Sequence, residues 1–396
     1  MWLVNAMTLR LEEFISHEIA PEYVILSHTW GREEVSYQEL SQEPRSESTQ
    51  QKPGYAKIVN CCRLAMTIYG MNYAWVDTCC IDKKSSAELS EAINSMYTLY
   101  QSSRICIVYL ADVRCRWKDD SLDLASMNFE KSRWFTRGWT LQELLAPNTC
   151  ELYDSEWSRL GNARERAITE GIIKATNIKN LFLTDPKHCG IATKMSWAAH
   201  RKTTRIEDIA YCLLGLFDVA MPLLYGEGMK AFRRLQEEII RKENDESIFA
   251  WASEREKFDN TTSYGGILAP SPAAFAYSGD IVPCLPPRET PLPYTITNYG
   301  LQIDLTYQKA IGPYEDPAIY DVPNWTHWTV PFACRKDDGS SGYFRVRLGE
   351  PSTDTYSSDS QKSLIFRRNP HSITFFKRGE VGSHLPSKRF YIQLSS

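Results

Sequence analysis

The sequence has no apolar run long enough to span a bilayer. Its start, MWLVNAMTLRLEEF, reaches an arginine at residue 10 without a signal-peptide core or a small-residue cleavage site. These absences set aside a spanning helix and a secretory leader, and the expected location is cytoplasmic. Net charge is scarce too. The 45 basic and 49 acidic residues leave −4, which offers no general attraction to nucleic acid or anionic lipid. No CxxC pair has a matching His or Cys cluster, so a structural zinc site is not expected. Eleven cysteines are an odd number, and the doublets Cys61-Cys62 and Cys79-Cys80 suit buried, reduced thiols better than a disulfide framework. Gly226 and Gly228 lack the Lys and Ser/Thr of a phosphate loop and read as a turn.

What is present is an alternation. Residues 22–27 (EYVILS), 72–77 (NYAWVD) and 105–110 (ICIVYL) are short apolar runs ending in polar residues, as buried strands do. Between them, 55–69 carries Ile58, Cys62, Ala65 and Met66 at helical spacing. The capping box of Ser85 and Glu88 then opens a helix striped by Leu89, Ile93, Met96, Tyr97 and Tyr100. Strand, helix, strand, helix, strand predicts a parallel sheet flanked by helices, because parallel crossovers need connections of this length. Three segments follow: an α/β domain over 1–155, a helical extension over 156–250, and an antiparallel β-rich unit over 251–396. In the extension, Thr204 and Glu207 form a second capping box. Further on, Phe232, Leu235 and Ile239 face inward while Arg233–Glu237 and Arg234–Glu238 pair outward. The β-rich unit rests on the alternation of Leu301, Ile303 and Leu305, that of Phe344, Val346 and Leu348, turns at 298–300 and 337–339, and a mobile loop over 351–362.

The stretch 132–147, SRWFTRGWTLQELLAP, concentrates aromatics, arginines and one acid before a proline that stops a helix. Trp139 and Glu143 are four apart and so share a helix face, with the acid near a helix end that can open to solvent. Ser27, Trp30 and Gly31 follow the first strand and Asp77 the second, at the carboxyl edge where ligands bind open α/β sheets. Asp77 and Asp82 bracket a cysteine doublet, but hard oxygen and soft sulfur ligands suit different ions, so no metal is expected. For Glu143 the competing reading is a surface acid paired with Arg137. For His28 it is a satisfied loop histidine, and for Trp139 a core ring. The cluster His200-Arg201-Lys202 reads as a solvated helix entry more readily than as a phosphate patch.

Three ordered blocks, YVILSHTWG (23–31), YAWVDTCCIDKKSSAELSEAINSMYTLYQ (73–101) and SRWFTRGWTLQELLAP (132–147), resemble the fungal heterokaryon-incompatibility (HET) domain proteins. The resemblance continues through the segment beginning MSWAAHRKTTRIEDI to ILAPSPAAFAYSGDIV, covering roughly residues 1–300. His28 stands where the family often has Tyr, and Lys83 where it often has Gln. The resemblance implies a TIR-like fold and a cytosolic cell-death effector, here in a stand-alone form without NACHT or WD repeats. Some TIR enzymes split NAD with a glutamate four residues after a tryptophan on a helix, the spacing of Trp139 and Glu143. By that analogy Glu143 is the catalytic carboxylate, and Ser27, Trp30, Gly31, Asp77, Asp82, Arg137 and Trp139 bind the substrate, with no cofactor. Two alternatives stay open. One is recruitment to secondary metabolism as a cofactor-free cyclase whose aromatic pocket shapes an apolar substrate. The other is a non-enzymatic module that self-associates.

Overall fold

The structure, a computed structural model, describes residues 1–115, 117–118, 121–122, 124, 126–179, 186, 189–252 and 266–284. Beyond these it describes 293–298, 300–306, 308–311, 326–332, 334–337, 342–349, 365–368, 374–377 and 387–392. The chain divides into two compact units, Met1–Lys187 with Arg201–Gly226, and His188–His200 with Glu227–Ser396. Among the described residues no helix is long and apolar enough to cross a membrane.

The first unit is built on a seven-stranded sheet. Its strands are β1 (Trp2–Asn5), β2 (Leu11–Glu13), β3 (Val24–His28), β4 (Tyr73–Val76), β5 (Ile105–Tyr109), β6 (Cys150–Tyr153) and β7 (Arg159–Asn162), in the spatial order β2-β1-β4-β3-β5-β6-β7. The four central strands, β4-β3-β5-β6, are parallel; the alternation predicted β3, β4 and β5, whereas β6 was not among the expected strands. Every residue of β3 is buried, which is why its sequence is a continuous apolar run and not an alternating one. Both margins are antiparallel, through β1 and β2 on one side and β7 on the other. The expectation of a helical extension from residue 156 therefore fails at β7. These strands are joined by short hairpin connections and needed no crossover helix to announce them.

Short helices α1 (Tyr37–Leu40) and α2 (Glu47–Gln50) precede α3 (Pro53–Thr67), which starts with proline at a position where its missing N–H costs nothing. Ile58, Cys61, Cys62, Leu64 and Ala65 form the buried stripe of α3, whereas Met66, expected on it, is exposed. Helix α4 (Ser86–Ser102) buries Ile93, Met96, Leu99 and Tyr100. Ser85 caps it as predicted, but Glu88 bonds the Asp82 N–H at 2.8 Å instead of closing the box. Helix α5 (Thr140–Leu145) leads into β6, and α6 (Arg166–Thr176) follows β7. The second capping box does not form. Thr204 accepts a hydrogen bond from Arg137 at 2.9 Å, and the short helix Asp208–Tyr211 begins without a side-chain cap.

In the second unit the helix Lys230–Lys242 buries Phe232, Leu235 and Ile239 and carries the Arg233–Glu237 pair at 2.8 Å. Arg234, however, reaches Glu227 at 2.8 Å, while Glu238 pairs with Arg241. Gln236 is fully buried and satisfied twice by the Ala269 backbone. The β-rich region is an eight-stranded sheet, antiparallel except where Ile365–Arg368 runs parallel to Ser387–Ile392. Around the expected turn at 298–300, Thr295–Thr297 pairs antiparallel with Gly300–Thr306, while residue 299 lies outside the described residues. Residues 338–340 and the loop 351–362 lie outside the described residues.

Candidate functional site

Helix α5 is held at its start by a close backbone approach. Gly138 N–H donates to Lys202 O at 2.9 Å, and a Cβ at Gly138 would lie 2.5 Å from Thr203 Cγ2, so only glycine admits the neighbouring segment. Just upstream, Asp112 beyond the end of β5 accepts from Ser132 Oγ at 2.6 Å and Arg133 N at 2.8 Å, fixing the 3-10 turn Arg133–Thr136. All six residues of α5 are buried. This overturns the expectation of an acid near an open helix end: Glu143 is only 9% exposed, and it is not a surface partner of Arg137. Gln142 beside it is 1% exposed, and its Nε2 has no hydrogen-bond partner among the described residues. An unpaired buried amide is a cost that an apolar side chain of similar length avoids. Gln142→Met is expected to leave the melting temperature unchanged or raise it, by about 1 kcal/mol of stability at most.

Glu143 Oε2 accepts from Ser27 Oγ at 2.5 Å, and Ser27 in turn accepts from the Trp134 indole N–H at 2.8 Å. Ser27 is fully buried at the carboxyl end of β3. Tyr100 of α4 also bonds the Glu143 carboxyl, while its own hydroxyl proton goes to Leu26 O at 3.1 Å. Burial pushes the Glu143 carboxyl up to about 8, the Ser27 bond opposes this, and the nearby Asp77 charge adds to it.

Asp77, after β4, has the opposite setting. It accepts from Trp30 Nε1 at 2.7 Å and from His28 Nε2 at 3.1 Å. Burial acts to raise its carboxyl, yet the His28 hydrogen bond and the nearby Lys83 charge hold it below its ordinary value. Lys57 from α3 lies 3.1 Å from His28 Nδ1 and 2.5 Å from Glu34 Oε1. An ammonium can only donate, so Nδ1 accepts and the Nε2–H is left for Asp77. Lys83 stands 3.8 Å over the centre of the Trp30 ring, which is 52% exposed. Two carboxyls, one pushed up and one held down, thus meet where β3 and β4 end.

The other expected site residues are placed differently. Gly31 N–H donates to Glu34 at 2.6 Å, on the rim of this cluster. Asp82 is turned to Gln38 Nε2 at 2.5 Å and to the Lys84 N–H, so it and Asp77 hold different partners around the cysteine doublet. Arg137 reaches Thr204. Trp139, one turn before Glu143, bonds Asp208 through its side chain, so the two members of the predicted pair serve different partners. Trp134, Tyr100, Lys57 and Arg201 were not read as site residues. Arg201, expected at a solvated helix entry, is 7% exposed and donates from Nη1 to Arg137 O at 2.8 Å and Thr140 Oγ1 at 2.9 Å. Burial brings its guanidinium down to about 10. A basic triplet beside a capping motif gave no signal that its middle member turns inward. A separate cavity of about 360 Å³ opens at the opposite, amino end of β5, between Glu22, Arg104 and Asn148.

Fold and site together define a parallel-centred α/β domain with a buried acid at its carboxyl edge. Residues 23–126 match the family described as heterokaryon incompatibility protein (HET). Glu143 lies past that matched segment. Residues 230–308 match a domain of unknown function, DUF8212. The chain is 46% identical over 225 residues to vegetative incompatibility protein HET-E-1 of Podospora anserina, covering 55% of this chain and 16% of that protein. No solved structure matches.

Proposed function

We propose that the chain is a heterokaryon-incompatibility-like cytoplasmic effector that breaks the N-glycosidic bond of NAD or a related nucleotide, with Glu143 as the catalytic carboxylate. The observation that carries this reading is the buried Glu143–Ser27 pair beside an ionised Asp77, at the sheet edge where such ligands bind. Glycosidic cleavage builds positive charge on the ribose ring as the bond lengthens. In NAD the leaving nicotinamide departs neutral and needs no proton, so the demand on the protein is negative charge near the ribose. Asp77 supplies it directly. Glu143 supplies it once ionised, and its carboxylate and the Ser27 hydroxyl are suited to the ribose hydroxyls.

The test is nicotinamide release from NAD by the purified chain. Glu143→Gln is expected to lower the rate by about 100-fold or more, the scale of losing one preorganised electrostatic group. Because the free carboxyl stays protonated until about pH 8, kcat/KM should rise as pH passes through that value. A wild type that releases no nicotinamide, or a Glu143→Gln variant as fast as wild type, overturns the proposal.

A further inference from the structure

The turn between β6 and β7 holds an aromatic residue in a backbone conformation that suits glycine. Trp157 has φ +62°, in the left-handed region where a bulky side chain is strained. The strain is held in place by Asp154, 1% exposed, whose carboxylate accepts from Cys115 N at 2.7 Å, Glu156 N at 2.9 Å and Ser158 N at 2.8 Å. Trp157 N itself donates to Asp154 O at 3.0 Å. The result is an indole laid on Tyr109 with ring centres 4.4 Å apart and planes 16° from parallel. Tyr109 is tied to the same turn by its hydroxyl, which donates to Ser155 O at 3.1 Å. Neither ring is fully buried, so core packing does not account for the arrangement.

Its position does. Tyr109 ends β5 and is the cross-strand partner of His28, which holds Asp77. The stack therefore stands one strand away from the acidic cluster, on the side of β3 opposite β4. The two parts of the edge differ in chemistry: the carboxyls of Asp77 and Glu143 with the Ser27 hydroxyl suit the hydroxyls of a ribose, whereas a flat, neutral π surface favours a neutral purine.

We propose that the Tyr109–Trp157 stack is a base-binding platform that takes the purine of a dinucleotide, while the ribosyl-nicotinamide half lies at Ser27, Asp77 and Glu143. This rests on the nucleotide reading above, and the experiment separates the two. The full chain is titrated with AMP and, separately, with nicotinamide mononucleotide, following tryptophan fluorescence and heat. Trp157→Gly removes the ring and relieves the left-handed strain, so the fold is expected to survive. Its AMP affinity should fall about 10-fold or more, the scale of one lost base stack, with nicotinamide mononucleotide binding unchanged. Trp157→Phe, which keeps a flat ring, should restore most of the loss. If Trp157→Gly does not fold, Trp157→Leu, which keeps bulk without a π face, carries the same expectation. AMP binding that is absent from the wild type, or that survives removal of the ring, overturns the platform. AMP binding that depends on Trp157 in a wild type that releases no nicotinamide supports the platform and overturns the glycosidic reading.

Discussion

Above pH 8 the Glu143→Gln variant is expected to melt at a higher temperature than the wild type, and near pH 4 the two should converge. The unfolded carboxyl titrates near its ordinary 4.5, whereas burial and the neighbouring Asp77 charge, working against the Ser27 and Tyr100 hydrogen bonds, move the folded group to about 8. Between these values the folded state holds a proton that the unfolded state has released, so stability falls as pH rises across that window. At about 1.4 kcal/mol for each unit, the full penalty is on the order of 4 to 5 kcal/mol, reached once the buried acid is ionised. Glutamine keeps an oxygen for the Ser27 hydroxyl and carries no titrating proton, so it escapes the penalty. For a unit of this size the gain corresponds to roughly 10 °C in melting temperature, readable by circular dichroism from pH 4 to 9. A wild type whose melting temperature stays flat across pH 5 to 8, relative to the variant, would show that Glu143 does not carry its proton into the folded state. A residue that costs stability and whose removal abolishes nicotinamide release behaves as a functional acid, because selection retains such a cost only for a return in activity.

Asp154→Ala is expected to cost about 3 to 5 kcal/mol in urea unfolding. One buried carboxylate accepts three backbone N–H groups, from Glu156 and Ser158 within the β6–β7 turn and from Cys115 in the loop after β5, at 2.9, 2.8 and 2.7 Å. Each bond to a charged acceptor contributes about 1.5 to 3 kcal/mol, and the three are not independent, since they close one loop. Alanine leaves all three donors without their acceptor and frees Trp157 to leave its strained conformation. Asp154→Asn should cost less. Its remaining oxygen can still serve Glu156 and Ser158, while the new amide meets the Cys115 N–H donor. If the alanine variant unfolds at the wild-type urea concentration, the turn is held by something other than this carboxylate. In the nucleotide titrations above, either substitution is expected to weaken AMP more than nicotinamide mononucleotide, because only the purine platform depends on the turn.

The parts of the site that could be read in advance are those whose chemistry follows from chain position. Ser27, Trp30 and Asp77 come directly after apolar runs that have to be buried strands, and a parallel sheet brings such ends to one edge. Glu143 was legible as an acid in an aromatic-rich helical turn, but its burial was not. The indole linked to it through Ser27 is that of Trp134, 2.8 Å from the serine hydroxyl, whereas Trp139, whose spacing from Glu143 made it the natural choice, bonds Asp208. Spacing on a helix says which side chains share a face; it does not say which neighbouring element each will meet. Arg201 shows the same limit from the other direction, since a basic triplet gives no sign of which member turns inward.

By itself, then, the order of apolar and polar residues determined three of the four central parallel strands, the helices between them and the edge where their polar ends collect, because burial on both faces demands continuous apolar runs. Tertiary structure alone decided the antiparallel margins, the partner of each indole, and the opposite settings of Glu143 and Asp77. Those depend on desolvation and on charges brought together from residues as far apart as Ser27 and Glu143, distances along the chain over which local sequence carries no record of contact.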